Sequence, residues 1–246
     1  MIDVKNVSLR YIAGDFKDIG LKEYLIRKTK GESTTNEFWA LKDISFHVNK
    51  GEMLGIIGSN GSGKSTILKV LAGIIPPTNG RIKTNGSVAA LLELGTGFDG
   101  DLTVKENIFL RGALLGYTKD YMLEEYDSII DFSELKEFET LPYKKLSSGM
   151  KSKLAFSIAS RVNPDILILD EVLSVGDIAF KRKSESRMNE LMGGGTTTIL
   201  VSHSINQIRC MCTKVVWLEQ GDLRGIGDSK IMCNEYEKYM KRKNKK

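Results

Sequence analysis

Two short segments of this 246-residue chain carry residue types whose order suits phosphate chemistry. The first is Gly58-Ser59-Asn60-Gly61-Ser62-Gly63-Lys64-Ser65-Thr66, which fits G-x-x-x-x-G-K-[ST] between an apolar run, Met53-Leu54-Gly55-Ile56-Ile57, and a helical pattern. Glycines there let successive amides converge on phosphate oxygens with no Cβ in the way. The helix beginning near Lys64 aims the positive end of its dipole at the same anion. Lys64 adds a point charge for terminal phosphates and Ser65 a hydroxyl for Mg²⁺. The second segment is Ile166-Leu167-Ile168-Leu169-Asp170-Glu171, an apolar strand ending in two carboxylates. Functional groups gather at the carboxyl ends of parallel strands, where a phosphate loop also lies. Asp170 is expected to hold Mg²⁺ through water, and Glu171 to orient or deprotonate an attacking water; a plain helix cap is the rival reading.

These segments imply a nucleotide enzyme, a class that spans kinases and ATPases, and a third segment narrows it. Leu146-Ser147-Ser148-Gly149-Met150 precedes a helical run from Lys151 to Arg161, and small residues at a helix N-terminus make another anion site. Here the chain resembles the ATP-binding-cassette proteins, whose signature Leu-Ser-Gly-Gly-Gln occupies this place. Leu146, Ser147 and Gly149 match it, while Ser148 replaces Gly and Met150 replaces Gln. A chain with two anion sites for one nucleotide can use the second on a partner's ATP, so a head-to-tail homodimer around ATP and Mg²⁺ is expected.

The resemblance implies further roles. His203, after the strand Thr197 to Val201, resembles the switch histidine that hydrogen-bonds the γ-phosphate. Asp177, in Ser174-Val175-Gly176-Asp177, resembles the loop that links the two sites across the dimer. Tyr11 stands where the family places a ring that stacks on adenine, with Trp39 as the other candidate. Glu93 replaces the family's Gln before the coupling loop, which makes it a candidate for coupling and for Mg²⁺.

Three stretches, Leu91-Leu92-Glu93-Leu94-Gly95, Ser147-Ser148-Gly149-Met150 and Ser174-Val175-Gly176-Asp177, are similar to the polysaccharide exporters within that family. Those move lipid-linked O-antigen, capsule or teichoic acid chains across bacterial inner membranes. The resemblance runs from Val4 to about Asp228 and implies a peripheral subunit at the cytoplasmic face of that membrane. Two copies of a membrane-spanning permease subunit are its expected partners, with the lipid-linked polymer reached through them and no nucleic acid. Residues 18–29 suit an inserted amphipathic helix, with Leu21, Tyr24, Leu25 and Lys28 on one face. In the exporters such a helix lies near the channel mouth; a solvated surface helix is the plainer alternative. Some O-antigen exporters append a carbohydrate-binding sandwich, which is not expected in a chain that stops at Lys246.

The elements needed to position these residues are also legible. Ile2, Val4, Val7 and Leu9 suggest an opening strand, and Ile44 to Val48 a second that turns at Asn49-Lys50-Gly51 into a third. Ile166 to Leu169 and Thr197 to Val201 are short apolar runs, as in parallel strands buried on both faces. The expected fold is α/β, an ATP-binding cassette of the P-loop class with an antiparallel β subdomain and a helical subdomain at about residues 104–161. One cassette is expected over residues 1–246, its coupling surface formed by Glu93 to Asp101 and the helical subdomain.

Composition closes off other classes. Hydrophobic residues make up 41% of the chain, yet no apolar run approaches the roughly 20 residues that span a bilayer. The first residues lack a secretory layout, so a cytoplasmic location is expected. Cys210, Cys212 and Cys233 have no second pair to complete a zinc set. The basic tail 238–246, with six Lys or Arg residues, is either solvated or in contact with anionic lipid. A soluble cassette ATPase would usually bring two cassettes or a long coiled-coil insertion, and a non-hydrolysing switch would lack Glu171 or His203.

Overall fold

The structure, a computed structural model, describes residues 1–13, 36–91, 95–161, 164–170, 177–202 and 204–243. The inserted helix expected at residues 18–29 and the last three residues of the basic tail lie outside the described residues. In chain order the strands are β1 (Ile2–Ala13), β2 (Asn36–Val48), β3 (Met53–Ile57), β4 (Asn79–Thr84), β5 (Val88–Leu91), β6 (Ile166–Asp170), β7 (Thr197–Val201), β8 (Lys214–Glu219) and β9 (Asp222–Asp228). The helices are α1 (Lys64–Leu71), α2 (Val104–Leu114), α3 (Lys119–Ser133), α4 (Ser148–Ala159), α5 (Ile178–Gly193), α6 (Ile205–Met211) and α7 (Ser229–Lys243). The chain divides into two compact units, one of Met1–Asn49, Met53–Asn85 and Val201–Lys246, the other of Lys50–Glu52 and Gly86–Leu200.

In the first unit the strands lie in the order β4-β1-β2-β9-β8-β3. β1 pairs antiparallel with both β2 and β4, which is the antiparallel subdomain. The apolar spacing of β1 changes phase, since Ile2 and Val4 are two apart, Val4 and Val7 three, yet all of these and Leu9 are buried. The register shifts between Val4 and Val7, where Asn6 takes a left-handed φ of 50°. One extra residue at this bulge restores the buried face. Asn6 Nδ2 donates to Asp43 Oδ1 at 2.8 Å, and β4 meets the bulge at Gly80, where a Cβ would lie 2.3 Å from the Asn6 carbonyl oxygen. β2 begins at Asn36, earlier than the apolar run alone suggests, because its ladder with β1 continues out to the Ala13–Asn36 pair. β3 runs parallel to β8, with Leu54 to Ile57 all buried.

In the second unit the order is β7-β6-β5, with β5 and β6 parallel and Ile166 to Leu169 and Thr197 to Val201 buried. Helices α2, α3 and α4 close over their own core, which includes Val104, Ile108, Ile129, Ile130, Leu154 and Ile158. α2 starts on a capping box, in which Thr103 Oγ1 accepts from Glu106 N at 3.2 Å and Glu106 Oε2 accepts from Thr103 N at 2.8 Å. Phe156 on α4 is fully buried beside Phe132 and Phe180. α4 begins at Ser148, three residues ahead of the expected Lys151, because Ser147 Oγ caps it by accepting from Met150 N at 3.2 Å. Ser148 and Gly149 are therefore the first turn of a helix and not a loop that leads to it.

Candidate functional site

Residues Gly58 to Thr66 form the turn from β3 into α1 and the first turn of that helix. Gly58 admits no side chain: a Cβ there would lie 2.2 Å from the Leu218 carbonyl oxygen and 2.4 Å from Ser62 Oγ. Gly63 is the N-cap of α1 with φ 104°, and a Cβ on it would strike the Ala40 carbonyl oxygen at 2.7 Å. Among the described residues no side chain caps α1, and its first turn carries no acidic residue, so the positive end of the helix faces the loop. Lys64 Nζ donates to the carbonyl oxygens of Gly58 and Ser59, both at 2.9 Å, which folds the ammonium back over the loop. Ser62 is buried, and its Oγ has no hydrogen-bond partner among the described residues. A glycine-lined turn, the N-terminus of α1 and the Lys64 cation together fit a phosphate chain. Ser65 is exposed on the first turn of α1, and Asn60 and Gly61 are exposed at the tip of the loop.

In the other unit Asp170 ends β6, half-buried. Ser65 and Asp170 are oxygen donors of the kind a hard cation takes. Glu171, His203 and Glu93, assigned roles in the sequence, lie outside the described residues.

Ser147, Ser148, Gly149, Met150, Ser152, Lys153 and Asp177 line one open cavity of about 410 Å³. The structure thus places Asp177 beside the signature residues of its own chain. Lys153, one turn into α4, bridges Glu134 at 2.6 Å and Asp177 at 2.7 Å. Asp177 also caps α5, accepting from Phe180 N at 2.9 Å. The hydrogen bond from Lys153, then that from the Phe180 amide, hold the Asp177 carboxyl down at about 2. Hydrogen bonds to Asp177 and Glu134 raise the Lys153 ammonium above its ordinary value. Nothing in the sequence marked Lys153.

A consequence in pH follows. A carboxyl held below its ordinary 3.8 stabilises the fold above that value and loses this contribution as pH falls through about 2. Lys153→Met should therefore lower the melting temperature fully at about pH 5 and above, and the gap to wild type should narrow as pH falls toward about 2. A gap that is constant with pH would show that Lys153 acts by packing over the Phe180 ring and not by its charge.

The two adenine candidates lie apart. Tyr11 pairs directly with Phe38, and Arg10 with Trp39, so alternation puts Tyr11 and Phe38 on one face and Trp39 on the other. Trp39 carries the Arg10 guanidinium 5.6 Å from its ring centre, whereas Tyr11 and Phe38 are 41% and 60% exposed. Phe38 escaped the sequence reading because nothing local reveals which residue faces Tyr11. The stretch proposed for coupling is a built structure over its described part. Asn107 is fully buried and donates from Nδ2 to the carbonyl oxygens of Asp99, Leu102 and Thr103, while its Oδ1 accepts from Asp99 N at 2.8 Å. Phe98 stacks on Tyr143 at 4.6 Å.

Residues 41–174, which include the phosphate loop, the signature turn and Asp170, match the ABC transporter family model. The chain belongs to the ABC transporter family. It carries the ATP-hydrolysing cassette of that family. It is 41% identical over 242 residues to the O-antigen export system ATP-binding protein RfbB of Klebsiella pneumoniae, covering 98% of both chains. It is 43% identical over 224 residues to the teichoic acids export ATP-binding protein TagH of Bacillus anthracis, covering 91% of this chain but only 40% of that longer one. Among solved structures, the ATP-binding subunit of an ABC transporter superposes with TM-score 0.70 at 23% identity, covering 96% of this chain and 93% of the other. An ATP-binding cassette solved as a dimer in a post-hydrolysis state with ADP and phosphate gives TM-score 0.68 at 21% identity, covering 93% and 99%. These likenesses agree with the α/β cassette expected from the sequence. Among the described residues no helix is long and apolar enough to cross a membrane.

Proposed function

We propose that the chain is the ATP-hydrolysing subunit of an exporter of a lipid-linked surface polysaccharide. One observation carries the reading: identity to an O-antigen export ATP-binding protein extends over 98% of both chains, well beyond the cassette motifs alone. The likeness to teichoic acid export proteins supports a teichoic acid chain as the second candidate cargo. In this reading two copies of the chain close on ATP beneath two copies of a membrane-spanning permease subunit, at the cytoplasmic face of the membrane.

The division of work follows from the residues. Amides of Gly58 to Thr66 and the Lys64 ammonium hold the phosphates, and the signature turn of a second copy, Ser147 to Gly149, meets the same nucleotide from the other side. Ser65 and Asp170 would hold Mg²⁺, which when bound supplies positive charge to the phosphate oxygens. Glu171 orients the attacking water and His203 reports the γ-phosphate. Tyr11 or its neighbour Phe38 covers the adenine from their shared exposed face. Asp177 and Lys153 tie the signature turn to the start of α5, so a movement of one is passed to the other.

The test is in the organism that encodes the chain. Deleting its gene should deplete the surface polymer, read by glycan staining of intact cells, while the lipid-linked polymer accumulates inside. Unchanged polymer in both compartments would exclude polysaccharide export and leave an ABC ATPase with another cargo.

A further inference from the structure

One side-chain cluster stands outside the phosphate loop and touches it. Glu219, the last residue of β8, is 1% exposed, a costly place for a carboxylate that an apolar residue would fill more cheaply. Its Oε2 accepts from Ser59 Oγ at 3.0 Å, and its Oε1 accepts from Lys243 Nζ at 2.6 Å and from the Tyr239 hydroxyl at 3.3 Å. Ser59 in turn gives its carbonyl oxygen to Lys64 Nζ at 2.9 Å and to Ser62 N at 3.1 Å. The turn that follows Glu219, with Gln220 at φ 54° and Gly221 at φ 84°, grips the loop again. Gly221 N donates to the Ser62 carbonyl oxygen at 3.1 Å, and its own carbonyl oxygen accepts from Lys42 N at 2.8 Å. The β8–β9 hairpin therefore holds the loop at residues 59 and 62, and Glu219 makes the side-chain contact.

We propose that Glu219 is a positioning residue for the phosphate loop, kept ionised by Lys243 of the C-terminal helix α7, so that α7 governs nucleotide affinity through Ser59 and Lys64. The physical step is simple. An ionised carboxylate can only accept, so the Ser59 hydroxyl must donate to it, which holds the Ser59 carbonyl where Lys64 is seated. A neutral carboxyl could donate instead and would release that constraint. Burial pushes the Glu219 carboxyl up, but the hydrogen bonds from Lys243, Ser59 and Tyr239 and the Lys243 charge outweigh it and hold the group below its ordinary value. The groups that face it are Ser59 of the loop, Tyr236, Tyr239 and Lys243 of α7, and across the hairpin Asp222 with its partner Lys42. The inference rests on the reading of Gly58 to Thr66 as the nucleotide site.

The experiment titrates the full chain with a fluorescent trinitrophenyl-ATP, without Mg²⁺, at several pH values, with circular dichroism as the check on folding. Lys243→Met keeps an unbranched apolar side chain and removes the ammonium, with its charge, its hydrogen bond to Glu219 and its place over the Tyr239 ring; because the Lys243 side chain is 44% exposed, this variant should fold. Its dissociation constant relative to wild type should be near one at about pH 8 and rise about tenfold toward about pH 5.5, as burial, no longer offset by the Lys243 charge and hydrogen bond, makes Glu219 take up a proton. Glu219→Gln should bind about tenfold more weakly at every pH, the loss expected for one charge-assisted hydrogen bond. A merely structural Glu219 would lower stability but leave no pH-dependent ratio, and a flat ratio of one in folded Lys243→Met overturns the proposal even if Glu219→Gln fails to fold. Should wild type bind no better than Lys64→Ala, the nucleotide reading of the loop is itself wrong and the inference falls with it.

Discussion

Lys64→Ala is expected to weaken nucleotide binding by at least about a hundredfold, the scale of losing a charge-assisted contact in a site that the remaining groups cannot complete. The ammonium has a second duty besides facing phosphate, since it ties the adjacent carbonyl oxygens of Gly58 and Ser59 at the start of the turn back to the first residue of α1. Alanine removes the cation from both oxygens and leaves the Ser59 oxygen only its bond from Ser62 N, beside an anion they repel, so the variant loses an attraction and gains a repulsion. The fold itself should survive, because β3 and α1 bury Ile56, Ile57, Ile67 and Leu68 independently of the lysine. The clean readout is therefore a calorimetric or fluorescence titration with ATP, alongside a melting curve without nucleotide. Wild-type affinity in a folded Lys64→Ala protein would remove the phosphate loop from the nucleotide site.

The second large effect is expected in mixtures. Ser147→Arg puts a bulky charge at the cap of α4, where the proposed partner nucleotide meets the signature turn, so this variant alone should bind ATP and turn over almost none. The lost cap costs about 1 kcal/mol, well short of unfolding a chain of this size. Lys64→Ala alone should be equally inactive, for the opposite reason. Combined, the two can rescue each other: a mixed dimer joins the intact phosphate loop of one chain to the intact signature of the other. Equimolar mixing makes about half the dimers mixed, each with one working site of two, so turnover should recover to about a quarter of wild type. No recovery, in a sample where differently tagged chains co-purify in the presence of ATP, would show that each chain uses its own signature and would end the sandwich model.

The cassette was legible from local sequence because its parts are local. A phosphate loop needs glycines and a lysine at set spacings within nine residues, and a buried parallel strand needs an unbroken apolar run, so Gly58 to Thr66 and Ile166 to Asp170 announced themselves. The phase slip in β1 was visible as a spacing of three between Val4 and Val7, but its cause, a left-handed Asn6 tied to Asp43 across β2, was not.

The sequence by itself thus determined the family and the fold class, and it supplied the residues proposed to touch a phosphate, since each reading depends on backbone conformation and residue type over short stretches. The tertiary structure alone decided what holds those residues in place. Lys153 finds Glu134 and Asp177, Phe38 lies opposite Tyr11, and Glu219 joins Ser59 to Lys243 over separations of 160 and 24 positions. The reason is physical. A charge buried far along the chain from its partner has no periodic or spacing signal, and its position is set only when sheet and helix packing exclude water and make an unpaired charge too costly to keep.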